Sequence, residues 1–156
     1  MPSLGLVCIA SATPDDVEVE IIDENIEELH FEETDIVGIS AMTPTAHRAY
    51  EIADKYRGLG SKVILGGIHP SILPQEAIEH ADGVVIGEAD EIWPQVIQDF
   101  ARNKLQRFYI AEQRPDLSKL PSFRRDLIRR NKYFVKNPAQ TSRGCPVNCD
   151  FCSVSR

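Results

Sequence analysis

The sequence has 156 residues, of which 42% are hydrophobic and 26% charged, and its net charge is −7. These values are typical of a globular protein with one domain and an appended segment. The sequence contains no run of about 18 apolar residues, which argues against a membrane-spanning helix. The start, Met1-Pro2-Ser3-Leu4, lacks the basic region and cleavage site of a secretory signal, so we expect a cytoplasmic protein.

Charge is divided unevenly along the chain. Residues 1–101 hold 4 Lys/Arg and 20 Asp/Glu, whereas residues 102–156 hold 13 Lys/Arg and 4 Asp/Glu. The simplest interpretation is two solvated surfaces of opposite sign that attract each other. The alternative is that the basic part meets an anion such as a carboxylate, a phosphate or RNA. The basic residues are scattered through a proline-containing segment, which favours the first interpretation.

The hydrophobic pattern predicts alternating helices and strands over the N-terminal two-thirds of the chain. In chain order these are a buried helix over 4–12, an edge strand over 17–23, a strand over 35–40, a helix over 45–59, a strand over 62–65, a short helix over 74–80, a strand over 83–86 and a helix over 88–102. Short apolar strands that alternate with helices are typical of a parallel sheet covered on both faces. We therefore predict an α/β domain over 1–102 with a doubly wound parallel sheet of the flavodoxin-like or Rossmann-like type.

The chain changes character after residue 102. Residues 103–139, the basic segment, contain three prolines and many basic residues and show little periodicity, which predicts a linker between domains. Its aromatic residues indicate that it packs on another part of the chain. A new element is expected to begin at Gln140 and to run over 140–156.

Three of the predicted strands end in loops of small residues. These loops are Ser40-Ala41-Met42-Thr43, Gly66-Gly67-Ile68-His69-Pro70 and Gly87-Glu88-Ala89-Asp90. The carboxyl ends of parallel strands form the ligand crevice of an open sheet, and glycine lets a ligand approach the backbone closely. Glycines that serve only tight turns would give the same pattern. The sequence has no dinucleotide fingerprint and no Walker sequence, which argues against those nucleotide sites.

The four cysteines fall into two groups. Cys8 lies alone in an apolar stretch and is predicted to be a core residue, whereas Cys145, Cys149 and Cys152 lie within eight residues with the spacing Cys-x-x-x-Cys-x-x-Cys. Three thiolates at this spacing can hold three irons of a [4Fe–4S] cluster and leave the fourth iron open. A zinc site would need a fourth ligand, and the closest histidine in the sequence is His80. A ferredoxin would add a fourth cysteine. The spacing therefore favours an iron–sulfur cluster over zinc.

The segment Cys145-x-x-x-Cys149-x-Phe151-Cys152 resembles the cluster loop of the radical S-adenosylmethionine superfamily. The resemblance implies that the three cysteines ligate a [4Fe–4S] cluster, and that the open iron binds the amino and carboxylate groups of S-adenosylmethionine. Reductive cleavage would then give a 5′-deoxyadenosyl radical. The resemblance also places Phe151 near the adenine, with a core aromatic beneath the loop as the alternative. It places Gly144 where the backbone turns after the first strand of a (β/α) barrel.

The loops of the N-terminal part are similar to those of the cobalamin-binding domain in the B12-dependent branch of that superfamily. This second resemblance implies a cobalamin site formed by Ser40, Ala41, Met42, Thr43, Gly66, Gly67, His69, Gly87 and Glu88. For His69 the two interpretations are a cobalt ligand and a loop histidine hydrogen-bonded to the backbone. The sequence lacks the Asp-x-His-x-x-Gly pattern that supplies a lower cobalt ligand in other B12 proteins, which favours the second.

The resemblance also implies an N-terminal fragment of a larger enzyme. The cobalamin-binding domain normally opens with a strand before its first helix, whereas this sequence begins at the predicted helix and ends soon after the cysteines. Most of the barrel that would enclose S-adenosylmethionine and substrate would then lie outside the sequence. A radical enzyme must shield its intermediates from water, so the 156 residues alone are expected to be inactive.

Three functional hypotheses follow from the sequence. The first is a cobalamin-dependent radical enzyme that transfers a methyl group or makes another modification at a carbon centre. The resemblance then implies a [4Fe–4S] cluster, S-adenosylmethionine and cobalamin as cofactors, an external electron donor such as a flavodoxin or ferredoxin, and a small-molecule substrate. The second is a module that binds cobalamin without catalysis. The third is an interaction fragment stabilised by zinc.

Overall fold

The computed structural model describes residues 2–140, 142–147, 149–150 and 152. Within these residues it contains one parallel sheet, whose strands are β1 (Ile36–Ser40), β2 (Lys62–Gly66), β3 (Gly83–Ile86) and β4 (Phe108–Ile110), in that spatial order. The helices are α1 (Leu4–Ala12), α2 (Ala46–Gly58), α3 (Ile68–Ile72), α4 (Pro74–Ala77) and α5 (Trp93–Ala101). In the described part of the chain, none of them is long and apolar enough to cross a bilayer.

Helices cover both faces of the sheet because successive side chains of a strand point to opposite faces. Val63, Leu65 and Val84 pack in one core with α2 and α4. Ile64 and Val85 pack in the other core with α5 and α1. Burial on both faces explains why these strands are continuous apolar runs in the sequence. The predicted α/β class with a doubly wound parallel sheet is confirmed.

Trp93 connects α5 to both the sheet and α1. Its ring packs on Gly38 of β1, where an added Cβ would lie 3.0 Å from the indole. The indole Nε1 donates a hydrogen bond of 2.8 Å to Oγ1 of Thr13, the residue that follows α1. A buried indole N–H needs such a partner. This one side chain therefore fixes the position of two helices on the same face of the sheet.

The predicted edge strand over 17–23 is wrong, because no strand is assigned there. A strand needs a neighbour for its backbone hydrogen bonds, and among the described residues β1 pairs only with β2. The side chains of this segment still pack, since Val17 contacts the core under α5 and Ile21 contacts a small cluster around Val7. The alternation in the sequence therefore reflects one-sided burial without strand pairing.

Two helices differ from their predicted bounds. Helix α5 begins at Trp93 instead of residue 88, because Gly87 turns the chain with a φ of +92° and Pro94 lies in the first helical turn. Proline is tolerated there since its missing N–H breaks no helical hydrogen bond. Helix α4 ends at Ala77 instead of residue 80, and the short α3 before it was not predicted.

The basic segment contributes to both the sheet and the core. It contains β4, which pairs with β3, and Tyr109 of that strand is buried. Further along, the buried Tyr133 donates a hydrogen bond of 2.5 Å to Asp23. Burial alone would raise the pKa of Asp23, but hydrogen bonds from Tyr133 and Asn25 outweigh it and hold that pKa below its ordinary value. The aromatic residues of the segment therefore pack on the α/β domain, and the domain boundaries at 102 and 139 stay a prediction.

Candidate functional site

The carboxyl ends of β1, β2 and β3 lie side by side, and the three loops that follow them meet there, at what we term the carboxyl edge. Ala41 N donates to Gly66 O at 2.9 Å, which joins the first loop to the second. The Ser71 hydroxyl joins the second to the third, because it donates to Gly67 O at 2.8 Å and accepts from Gly87 N at 3.0 Å. Hydrogen bonds therefore fix the three loops relative to one another.

Gly67 and Gly87 adopt backbone conformations that other residues avoid. Their φ angles are +94° and +92°, in the region that favours glycine. An added Cβ at Gly67 would lie 2.8 Å from Ala41 O, and one at Gly87 would lie 2.9 Å from the Ala111 Cβ. The sequence left two roles open for these glycines, close approach of a ligand and a tight turn. The structure shows a tight turn at both positions. Cofactor contact at these glycines and at Gly66 stays a prediction.

The residues predicted to contact a cofactor differ in their exposure to solvent. We term the exposed ones the exposed rim, and the partly or fully buried ones the crevice floor. Met42 is 58% exposed, and Ser40 and Thr43 are also exposed on the first loop. The partly exposed ones are Gly66, Gly67, Gly87 and Glu88, and the buried ones are Ala41 and His69. Side chains of the rim can therefore contact a ligand directly, whereas Ala41 acts on the loop through its backbone.

His69 is hydrogen-bonded through both nitrogens of its ring. Nε2 lies 3.0 Å from the Tyr50 hydroxyl and 3.1 Å from Glu76 Oε1, and Nδ1 lies 3.3 Å from Thr43 Oγ1. Burial and the neighbouring Glu76 raise the pKa of Tyr50 to about 12. This arrangement agrees with a hydrogen-bonded histidine, although the ring's partners are side chains and not the predicted backbone groups. The His69 ring therefore stabilises the crevice floor against α2 and α4.

The cysteine loop, residues 142–152, is described at 142–147, 149–150 and 152. Cys145, Cys149 and Cys152 are partly exposed thiols outside any disulfide. Within the described residues, no three His, Cys, Asp or Glu side chains converge as a metal site would require. The donor set of three thiols fits an iron–sulfur cluster, and its ligation stays a prediction.

Two sequence predictions concern the backbone and the aromatic of this loop. No strand is assigned over 142–147, where the first barrel strand was expected to end, and Thr141 and Phe151 lie outside the described residues. Gly144 has a φ of +75°, as the predicted backbone turn requires, and an added Cβ there would clash with the Arg114 guanidinium. The turn is thus present without the strand.

Arg143 joins the cysteine loop to the carboxyl edge. Its Nη1 donates to Glu88 Oε2 at 2.9 Å and to Asp90 Oδ2 at 2.8 Å, and its Nη2 lies 3.1 Å from Cys8 Sγ. Burial raises the pKa of the Cys8 thiol, Asp90 raises it further, and Arg143 opposes both. Sequence reasoning placed neither Arg143 nor Asp90 in the site, although the opposite charges of the two parts of the chain were a signal for such a pair.

Comparison with known proteins agrees with this geometry. The B12 binding domain family matches residues 1–97, more than half of the chain. The chain belongs to the B12-binding domain family. The matched region includes β1, β2 and β3 and the three loops of the carboxyl edge, whereas the cysteine loop lies outside it.

Several relatives of this B12-binding chain are named as methyltransferases. It is 36% identical over 157 residues to bacteriochlorophyllide d C-8(2)-methyltransferase of Chlorobaculum tepidum, covering 96% of this chain and 35% of that protein. It is 31% identical over 158 residues to the C-12(1)-methyltransferase of the same organism, covering 97% and 35%. It is 30% identical over 161 residues to hopanoid C-2 methylase of Rhodopseudomonas palustris, covering 99% and 30%. The chain thus spans about a third of the length of these relatives.

One solved structure is also similar to the B12-binding chain. It is the N-terminal domain of a hypothetical protein from Thermotoga maritima, with a TM-score of 0.47 and 24% sequence identity. The match covers 62% of this chain and 78% of that one.

The close packing of the loops can be tested with two glycine variants. We expect Gly67→Ala to lower the free energy of unfolding by at least about 1–3 kcal/mol, the usual cost of such a backbone conformation, with a further loss from the clash with Ala41 O. Gly60→Ala is the matched control, because Gly60 has a φ of +96° but an added Cβ there meets nothing within 4 Å. Chemical denaturation of both variants measures the difference. Equal losses would contradict the close approach of the first two loops.

Proposed function

We propose that the carboxyl edge binds cobalamin, and that the chain is the N-terminal part of a B12-dependent radical S-adenosylmethionine methyltransferase. The observation that carries this proposal is the contact between the two candidate cofactor segments. Arg143 of the cysteine loop reaches Glu88 and Asp90 at the carboxyl edge of a B12-binding domain. The methyltransferase names of the relatives support the same assignment.

The exposed rim supplies the groups that would hold cobalamin. Met42 and Ile68, which are 58% and 40% exposed, offer apolar contacts to a large ring system. The hydroxyls of Ser40 and Thr43 would offer hydrogen bonds to the nucleotide tail. Cobalamin, when bound, would supply the methyl-transfer chemistry. The residues of this chain bind and orient it.

Cys145, Cys149 and Cys152 would hold the [4Fe–4S] cluster. The cluster, when bound, supplies the electron that cleaves S-adenosylmethionine. The three thiols are partly exposed, whereas Cys8 is buried in α1. Phe151 and Gly144 are proposed to lie beside S-adenosylmethionine, in keeping with the resemblance of the loop.

The proposed reaction is methyl transfer to a carbon of a small-molecule substrate. The names of the relatives state methylation of bacteriochlorophyllides and of a hopanoid. An external electron donor such as a flavodoxin or ferredoxin would reduce the cluster.

Optical titration with hydroxocobalamin tests the cobalamin site. We expect the chain to bind it with a change in the visible spectrum, and Met42→Asp to weaken binding about tenfold or more, because losing the burial of a methionine side chain costs about 1.5–3 kcal/mol. Leu59→Asp is the matched control, since Leu59 is 52% exposed and lies after α2, close to the amino end of β2. No spectral change, or equal weakening by both variants, would contradict a site at the carboxyl edge.

Anaerobic reconstitution with iron and sulfide tests the cysteine loop. We expect about four irons per chain together with thiolate-to-iron charge-transfer absorption. Replacing Cys145, Cys149 or Cys152 by alanine should remove most of this iron, because each thiolate binds one corner of the cluster. Cys8→Ala should retain it. A tetrahedral zinc ion in place of iron, or loss of iron from Cys8→Ala as well, would refute the assignment.

A further inference from the structure

We propose that Arg143 is a positioning residue, which fastens the cysteine loop to the carboxyl edge by hydrogen-bonded ion pairs with Glu88 and Asp90. The role of Arg143 in catalysis rests on the proposed function. The fastening itself rests on contacts of the described residues and can be measured without any cofactor.

The Arg143 guanidinium is shared between two carboxylates in a partly shielded position. Nη1 lies 2.9 Å from Glu88 and 2.8 Å from Asp90. The Arg143 side chain is 16% exposed, that of Asp90 8% and that of Glu88 31%. Charge-assisted hydrogen bonds that are screened little by water are among the stronger non-covalent contacts. By contrast, Arg129 pairs with the largely buried Glu27 through a side chain that is itself 60% exposed, so water screens this cation more than it screens Arg143.

Asp90 is the carboxylate that depends most on this cation. Asp90 and Glu88 lie two residues apart in one loop, but the Asp90 side chain is only 8% exposed, beside the Cys8 thiol, whereas that of Glu88 is 31% exposed. A buried carboxylate without a partner is strongly unfavourable. The guanidinium therefore stabilises the loop after β3, through Asp90, as well as the cysteine loop.

Both ends of the contact are attached to fixed parts of the fold. The loop after β3 is held at Gly87 by the Ser71 hydroxyl at 3.0 Å, and it leads directly into α5, which Trp93 anchors to Thr13. Arg143 lies two residues before Cys145. The contact therefore sets the position of Cys145 relative to the loops of the carboxyl edge. Glu88 takes part in this contact, and its predicted contact with the cofactor stays a prediction.

The fastening is tested by backbone dynamics of the complete chain in solution. We expect the amide 15N order parameters of residues 142–145 and 147 to be close to the rigid value of about 0.85, and to fall below about 0.6 in Arg143→Gln. Arg143→Lys, which keeps the charge but loses the planar fork, should give intermediate values. Asp90→Asn should lower the values more than Glu88→Gln does, since Asp90 is the more buried partner. Arg129→Gln is the control and should leave them unchanged.

The combined variant separates a direct contact from general destabilisation. Arg143→Gln with Asp90→Asn should loosen the loop no more than Arg143→Gln alone, because the contact is already lost. An additive effect, unchanged order parameters in Arg143→Gln, or equal loosening by Arg129→Gln would overturn the proposal.

Amide signals of the sheet in the same spectra show whether a variant folds. If Arg143→Gln does not fold, Arg143→Lys and Asp90→Asn decide the outcome. Failure of hydroxocobalamin or iron to bind would refute the proposed function while leaving this result intact.

Discussion

The parallel pairing of β1, β2 and β3 is the constraint on which the rest of the structure depends. It aligns Ser40 with Gly66 across the first pair of strands and brings three loops to the same edge. Helices cover both faces of the sheet, so this edge is where the backbone stays open to a ligand. Glycine at 67 and 87 then lets neighbouring loops approach within contact distance of one another. The crevice is therefore a consequence of strand order and turn geometry.

Electrostatics connect the remainder of the chain to this sheet. The acidic N-terminal part and the basic C-terminal part attract each other at defined places, through Arg129 with Glu27 and through Arg143 with Glu88 and Asp90. The Arg129 side chain is 60% exposed and that of Arg143 is 16% exposed, so the second cation is the better shielded from water. This agrees with the interpretation of the charge division as two mutually attractive surfaces. The second pair joins Arg143, which lies two residues before Cys145, to the loop after β3.

Local sequence pattern was sufficient for the fold class and for most elements. Apolar runs such as Lys62–Gly66 and Gly83–Ile86 become buried parallel strands because both of their faces are covered. The same reasoning failed over 17–23, where one-sided burial produced a strand-like alternation without a pairing partner. The sequence pattern also failed to predict β4, which lies in the basic segment, because a three-residue strand is too short to show a period.

Side-chain partners distant in sequence were beyond such reasoning. The contact of Asp90 with Arg143 joins residues 53 positions apart, and no local period encodes it. Tyr50 on α2, which lies 19 positions from His69, is likewise brought to the ring only by the packed fold. The three cysteines were found because their chemistry depends on spacing within one loop.

The most direct test of a cofactor site at the carboxyl edge is the change in amide chemical shifts when hydroxocobalamin is added to the 15N-labelled chain. The account predicts the largest changes in residues 40–43, 66–69 and 87–90, with smaller changes at 142–147 transmitted through Arg143. Changes centred on the opposite edge of the sheet, around Ser61 and Asp82, or no changes at saturating cobalamin, would contradict it.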